Sequence, residues 1–292
     1  MRKQSITGTL RKLGLHVCHR AVVRREWRRA GKKMDFRHPR DINEKIQWLL
    51  CSPVSRGWDR YADKLAVRDY VAACGLEDLL VPLLGVWDSA EAIDFAALPR
   101  RAMLKCNHDS GSSFAVDKEA AGFDEAAVRA FFARKLRRKF GYVNGEMYYN
   151  RIRPRVLAEP FLEPDPGRDS IPDFKVWCFD GKPYMVWACI NRKKDSVEVC
   201  SYSPDWTKVP DADRPTPHYR AAGDIPRPQH LERMLAAAAT LSRGFPVVRV
   251  DFYEAGGKLY FSEMTFAPYG GRIDFHTPEY LRVLGDQCRL PL

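Results

Sequence analysis

The 292-residue chain has no apolar run of the roughly 18 to 20 residues needed to cross a bilayer as a helix. No apolar segment follows its basic N-terminus, which argues against a signal peptide. The eight cysteines (Cys18, Cys51, Cys74, Cys106, Cys178, Cys189, Cys200 and Cys288) form no Cys-x-x-Cys pair and no Cys/His metal spacing. They read as reduced, mostly buried thiols of a cytoplasmic protein. Internal repeats, low-complexity tracts and long linkers are missing, which excludes solenoids and disordered tails. Basic residues are not interleaved with aromatics in an RNA-binding pattern, so no nucleic-acid partner is expected.

What the chain does contain is 45% hydrophobic and 12% aromatic residues, enough for a sizeable core in one large or two modest domains. Its net charge of +11 is unevenly placed. Residues 1–40 hold 13 Lys or Arg and two acids, which accounts for the whole excess. Within them Leu10, Leu13, Val17 and Ala21 recur at helical spacing among Arg11, Lys12, Arg20, Arg24, Arg25, Arg28 and Arg29. The segment reads as a basic amphipathic helix: either it meets an acidic polymer or an anionic membrane surface, or it is a solvated helix with one side on the protein body.

Residues 41–73 read as two helices broken near Ser52-Pro53, with Gly75 ending the second. VPLLGVW (81–87), RAMLKCN (101–107), FAVDK and RVLAEPFL (155–162) read as strands. Asp88 would cap a short helix over DSAEAIDFAAL, and residues 123–140 and 230–244 carry helical patterns. Hairpins are expected at 173–191, around Asp180-Gly181, and at 247–263. The fold class is α+β, antiparallel sheets with helices packed on them.

The second hairpin, VVRVDFYEAGGKLYFSEMTFAP (247–268), places Arg249, Asp251 and Glu263 in otherwise apolar strands. An odd-numbered connection would set Glu263 opposite Arg249 and gather all three on one face; a two-residue Gly-Gly turn would separate them. One face would suit a shared cation, whereas the plainer alternative is a solvated sheet face with an Arg–Glu pair. Lys105 lies inside an apolar strand and must find an anion or reach solvent. The loop His108-Asp109-Ser110-Gly111-Ser112-Ser113 after it is either a phosphate-binding loop or a common turn.

The order of these features is informative. Asp-Lys at a helix start (Asp63, Lys64) is followed by Lys105 before a small-residue loop, by Glu159-Pro160-Phe161-Leu162-Glu163, and by Arg-x-Asp with Glu263 on a hairpin. This order resembles the ATP-grasp superfamily. NEKIQWLL (43–50), DKLAVRDYV (63–71), LPRRAMLKCNHDSG (98–111), RPRVLAEPFLE (153–163), DFKVWCFDGKP (173–183) and FPVVRVDFYEAGGKLYFSEMTFAP (245–268) resemble the TupA-like ATP-grasp family across residues 40–292.

The resemblance implies an ATP-grasp fold, with two α+β subdomains clasping ATP between antiparallel sheets. A basic helical segment (1–40) would precede the ATP-grasp-like domain (41–292), which divides into a smaller ATP-binding subdomain (about 81–160) and a metal-binding subdomain (about 161–292). It implies that Lys64 and Lys105 contact the ATP phosphates, with Ser110, Gly111 and Ser112 in a loop closing over them. Glu159 to Leu162, with Phe161 among them, would form the adenine hinge, and Glu163 or Asp165 would meet the ribose. Asp251 and Glu263 would hold Mg²⁺. Thr265 stands where many ATP-grasp ligases have Asn, and its hydroxyl would ligate the metal or a bound water. Arg249 and Lys105 would act on the transferring phosphoryl group. His108 would orient the loop or bind an acceptor carboxylate, or else bond only to the turn; Lys175 would enter the cleft or sit on its rim.

The implied function is an ATP- and Mg²⁺-dependent carboxylate–amine ligase that adds an amine to a cell-surface polysaccharide or its precursor through an acyl phosphate. An acidic glycan would be the acceptor, and the protein would be cytoplasmic or peripheral at the inner membrane face. The alternatives are a sugar phosphotransferase, a polysaccharide glycosyltransferase and a non-catalytic nucleotide- or anion-binding module.

Overall fold

The computed structural model describes residues 19–29 and 31–291. Leu10, Leu13, Val17 and Cys18 lie outside them. The basic segment is described from helix α1 (His19–Arg29), whose Val23 and Trp27 bury against Met34 and Phe36 while Arg24 and Arg28 are exposed. Among the described residues no helix is long and apolar enough to cross a membrane.

Among the described residues ten strands form two sheets. The smaller contains β1 (Gly85–Trp87), β2 (Arg101–Cys106), β3 (Phe114–Asp117) and β4 (Val156–Pro160) in the order β1-β4-β2-β3, with all pairs antiparallel. In β2 the even positions Ala102, Leu104 and Cys106 are buried with Val128 and Phe132 of helix α5 (Glu125–Leu136). Its odd positions Arg101, Met103 and Lys105 therefore share the opposite face. The helix expected over DSAEAIDFAAL is not formed. The segment makes turns in which Asp94 accepts from Ala96 and Ala97 N–H at 3.1 and 3.2 Å, because burying Ile93, Phe95 and Leu98 does not follow a helical period.

The larger sheet contains β5 (Asp173–Phe179), β6 (Lys182–Ile190), β7 (Val197–Tyr202), β8 (Tyr219–Ala221), β9 (Val248–Ala255) and β10 (Lys258–Thr265), in the order β10-β9-β5-β6-β7-β8. Among the described strands the β7–β8 pair alone is parallel. Helix α6 (Leu231–Leu241) covers one face, burying Met234, Ala237, Ala238 and Leu241 with Phe174, Val176, Val250 and Phe252. The other face carries Asp173, Lys175, Arg249 and Asp251 and is left to the site.

The opening of the β9–β10 hairpin is a two-residue Gly256-Gly257 turn, since Lys258 pairs with Ala255. That register alone would have put Glu263 on the wrong face. A β-bulge at Ser262 corrects it: Phe261 pairs with Phe252, and the next pair is Glu263 with Asp251, followed by Thr265 with Arg249. The expected odd-numbered connection is thus replaced by an even turn plus one extra residue in the strand.

Between α1 and the sheets lie the short helices α2 (Ile42–Leu50), α3 (Asp59–Ala62) and α4 (Ala66–Ala73). Helix α2 braces the chain after β10. The buried Asn43 amide donates to Ile273 O at 2.9 Å and accepts from Ile273 N–H at 2.8 Å, and Gln47 Nε2 donates to Gly270 O.

Candidate active site

Asp63 and Asn107 build the first corner. Asp63 Oδ1 accepts from Leu65 N–H and from Asn107 Nδ2, both at 2.8 Å, and Lys64 N–H donates to Asn107 O at 3.2 Å. Asn107 also receives Arg155 N–H at 2.7 Å, tying the end of β2 to the start of β4. Lys64 is thereby delivered beside the loop: its ammonium donates to Asp109 O at 2.7 Å and lies 3.8 Å from Glu263. Within the loop Ser112 is buried and bonds Asp109 and Cys106 N–H, while Gly111, at φ 78°, offers its carbonyl to Lys135. His108 Nε2 lies 3.2 Å from Arg138 O, and burial holds the imidazole below its usual pKa, so it is neutral near pH 7.

Lys105 does find an anion. Its ammonium meets Glu159 Oε2 at 2.6 Å, and Arg68 lies 3.7 Å from Glu159 Oε1 while donating to Val81 O at 2.8 Å. Burial is the largest influence and disfavours the charged Lys105, but Glu159, Tyr253 and Glu263 together outweigh it and the pKa is raised. Glu159, expected at the adenine, thus has both oxygens facing cations. Arg101 stacks 3.9 Å over the Phe161 ring and pairs with Glu163, while Asp165 accepts from Gly256 N–H at 2.8 Å.

Lys105, Glu159, Phe161 and Leu162 line a cavity of about 450 Å³ with Met103 and Tyr253. A second cavity of about 380 Å³ is lined by Ser110, Lys175, Arg249, Glu263 and Thr265. Arg192 lines both. His108, Gly111 and Glu163 line neither, and Ser110 is the loop residue that reaches the second.

Between these cavities runs a row of alternating charges. Arg192 meets Asp173 at 3.1 Å, and Lys175 meets Asp173 at 2.6 Å and Asp251 at 2.8 Å. Arg249 grips Asp251 with two bonds of 2.7 and 2.8 Å. Burial opposes ionisation of Lys175 and Arg249, yet their acidic neighbours raise both pKa values; burial likewise opposes the Asp251 carboxylate, and Arg249 and Lys175 lower it. Lys175, Arg249 and Asp251 therefore remain charged near neutrality.

An oxygen-ligated cation fits here. Among the described residues there is no group of three or more His, Cys, Asp or Glu that would cage a metal. Asp251 and Glu263 instead form a cross-strand pair, with Thr265 Oγ1 3.2 Å from Glu263 Oε1. A carboxylate has about four acceptor positions, of which Asp251 gives three to Arg249 and Lys175, leaving one on Oδ1. A pair of this kind suits Mg²⁺, which takes its remaining ligands from phosphates and water.

Arg68, Asp173, Arg192 and Glu146 were not singled out in the sequence. Asp173 is readable in retrospect, two residues from Lys175 and so on the same strand face. Arg192 follows Asn191, whose left-handed φ of 49° turns the chain out of β6, and carries no sequence signal.

An antiparallel four-stranded sheet carrying Lys105 and a six-stranded sheet carrying Lys175 and the Asp251–Glu263 pair, each with helices packed on it, define an ATP-grasp architecture. The chain belongs to the TupA-like ATP-grasp family, whose sequence model matches residues 44–289. No curated protein sequence matches it. Among solved structures it is similar to the D-cycloserine synthetase DcsG (17% identity, TM-score 0.43, covering 80% of this chain and 70% of that one). It is also similar to D-alanine–D-alanine ligase from Bacillus anthracis (15%, TM-score 0.45, 78% and 66%) and to the ATP-grasp ligase PsnB complexed with minimal precursor (12%, TM-score 0.47, 99% and 76%).

Proposed function

We propose that this protein is an ATP-dependent carboxylate–amine ligase. The observation that carries the reading is the pair of adjoining cavities: one has the hinge segment 159–162 and Lys105 on its wall, the other has Lys175, Arg249 and Glu263, and Arg192 borders both. The first is sized for a nucleoside, and the second receives the γ-phosphate and the acceptor. Glu159 holds the Lys105 ammonium towards the nucleotide phosphates. Lys64, anchored on the loop carbonyl of Asp109, closes the opposite side. Asp251, Glu263 and Thr265 would hold Mg²⁺, which would supply positive charge against the nucleotide phosphates.

In the reaction the acceptor carboxylate oxygen attacks the γ-phosphorus, ADP leaves and an acyl phosphate forms. The amine nitrogen then attacks the acyl carbon, the bond from that carbon to the phosphate oxygen breaks, and phosphate departs with the electron pair. The nitrogen keeps one hydrogen in the amide and gives up its surplus protons to phosphate and solvent. Arg192 and Arg249 face the charge that develops on the transferring group, in a site shaped before substrate arrives.

We further infer that the acceptor is an acidic glycan or its precursor, met at the inner membrane face by the basic N-terminal segment. The exposed Arg24 and Arg28 of α1, whose other side is packed on Met34 and Phe36, support that placement. Replacing both by Glu should weaken association with anionic vesicles and acidic polysaccharide; unchanged association sinks it.

The decisive experiment is calorimetric titration of ATP with Mg²⁺ into wild type and Glu263→Ala. Mg²⁺-dependent binding that collapses in the variant is expected. A wild type that does not bind ATP removes the ligase reading.

A further inference from the structure

Tyr269 is a large aromatic residue that the chemistry above leaves unused. It lines the second cavity and is nevertheless 49% exposed. Its backbone is left-handed, at φ 53° and ψ 26°, and it opens a run of such residues with Gly270 (φ 61°) and Gly271 (φ 69°). Glycine or asparagine would take that conformation at less cost than tyrosine. The turn is imposed from around it: Gly270 N–H donates to Ala267 O at 2.8 Å, Gly271 N–H donates to Pro268 O at 3.0 Å, and Gln47 holds Gly270 O. The ring is oriented without being buried. Its hydroxyl shares a hydrogen bond with the Tyr219 hydroxyl, and the Tyr219 and Phe275 rings both stand at 67° to it, with centroids 6.1 and 5.3 Å away, so neither lies flat on its face. A strained, oriented, half-exposed ring on a cavity wall points to a role in that cavity.

The rest of the lining narrows what meets that ring. The cations Lys175, Arg192 and Arg249 outnumber the acids Glu146 and Glu263, which favours an anionic occupant over a cation seated on the tyrosine. Ser110, Tyr219 and Thr265 add hydroxyl groups, which suit an occupant that is itself hydroxylated. The electron-rich face of an aromatic ring attracts weakly positive C–H groups, and a pyranose presents a patch of them between its hydroxyls. Resting on the ligase reading, we propose that Tyr269 is the platform on which the acceptor's sugar ring lies, and that the acceptor unit is a pyranose carrying a carboxylate, a uronic acid. The ring on Tyr269 turns that carboxylate towards the Lys175, Arg192 and Arg249 side of the cavity, where it is phosphorylated. An open-chain hydroxy acid has the same charge and hydroxyls but no rigid C–H face to lay on the tyrosine.

The test uses the full chain with Mg·ADP and three probes. Methyl β-D-glucuronide has the ring and the carboxylate, D-gluconate has the carboxylate on an open chain, and methyl β-D-glucoside has the ring without the charge. Affinities are read by saturation-transfer NMR titration, and Mg·ADP affinity by calorimetry on the same samples. Wild type should bind the glucuronide about tenfold more tightly than either other probe, a gap that one aromatic or one charge-assisted contact supplies. Tyr269→Asn, which suits the left-handed backbone and removes the ring, should lose the preference for glucuronide over gluconate and keep its Mg·ADP affinity. Tyr269→Phe, which keeps the ring and drops the bond to Tyr219, should retain that preference. Equal binding of glucuronide and gluconate by wild type, or an unchanged ratio in Tyr269→Asn, overturns the platform. A ratio lost equally in Tyr269→Phe assigns the effect to the Tyr219 bond and overturns it too. Equal binding of glucuronide and glucoside overturns the uronic acid. If Tyr269→Asn does not fold, Tyr269→Leu, which keeps the bulk without the π face, must lower the ratio, and an unchanged ratio overturns the platform equally. Mg·ADP binding without a pyranose preference removes the platform alone. Absence of Mg·ADP binding in wild type removes the ligase reading and the platform with it.

Discussion

Gly271 offers a quantitative test of how the second cavity is held. It sits at φ 69°, directly after the turn bearing Pro268 and Tyr269 on the cavity wall. A Cβ there would lie 2.8 Å from Ile46 Cγ2 and 3.0 Å from Gln47 Nε2, on the buried face of α2. Gly271→Ala should therefore cost about 1 kcal/mol for the left-handed backbone. A further 1–3 kcal/mol or so should come from pushing α2 away and loosening the Gln47 bond to Gly270 O. Gly167, at φ 83° with no atom within 4 Å of its Cβ position, carries the backbone cost alone. At roughly 2 °C per kcal/mol for a chain of this size, Gly271→Ala should melt about 4–8 °C below wild type and Gly167→Ala about 2 °C below. Calorimetry or circular dichroism on all three proteins decides it. Equal melting of the two variants refutes the claim that α2 presses on this turn.

Other outcomes follow from the same geometry. Lys175→Met leaves Asp173 and Asp251 buried with one Arg apiece and should lose about 3–5 kcal/mol in urea unfolding; a loss under about 1 kcal/mol contradicts the tight pairing. Cys106, Cys178, Cys189 and Cys288, whose thiols are pushed by burial up to about 12, should resist iodoacetamide at pH 8 in the native protein and react once it is unfolded. Their folded pKa values are raised, so the stability they contribute is intact below the free-thiol value of 9.0 and declines as pH rises from there towards about 12. Each thiol removes about 1.4 kcal/mol per pH unit in that window. Urea midpoints at pH 8 and pH 10 should show the decline, and equal midpoints would contradict it. Arg68→Met, by freeing one Glu159 oxygen, should weaken Mg·ATP binding without altering the fold; unchanged affinity would show that Lys105 needs no such support.

Much of this fold was legible because strand alternation and turn residues coincided, as at Asp180-Gly181 and along β2. The register of the β9–β10 hairpin was not. The Gly-Gly turn pointed to separation of Asp251 from Glu263, and the compensating bulge at Ser262 depends on neighbours that a local pattern does not contain. Strand β7 was missed because VEVCSY is buried at most positions and blurs alternation, and β8 because three residues in a parallel pair carry too little pattern. Lysines in apolar strands and acids in a hairpin stand out by being costly to bury. Arg192 and Glu146 do not, since each is brought to its cavity by a turn, and polar residues beside turns are ordinary. The phrase NEKIQWLL gains its meaning only in three dimensions, where Asn43 and Gln47 hook the chain more than 200 residues away.

The alternating row Arg192–Asp173–Lys175–Asp251–Arg249 also constrains how this sequence can drift. Each inner member balances two neighbours, so a neutral substitution at one position makes a second one beside it less harmful than it would be alone. Asp173 and Lys175 should accordingly change in concert or stay fixed, a pattern of correlated substitution that would set these strand positions apart from the freely exchanging apolar residues on the opposite side of the same sheet.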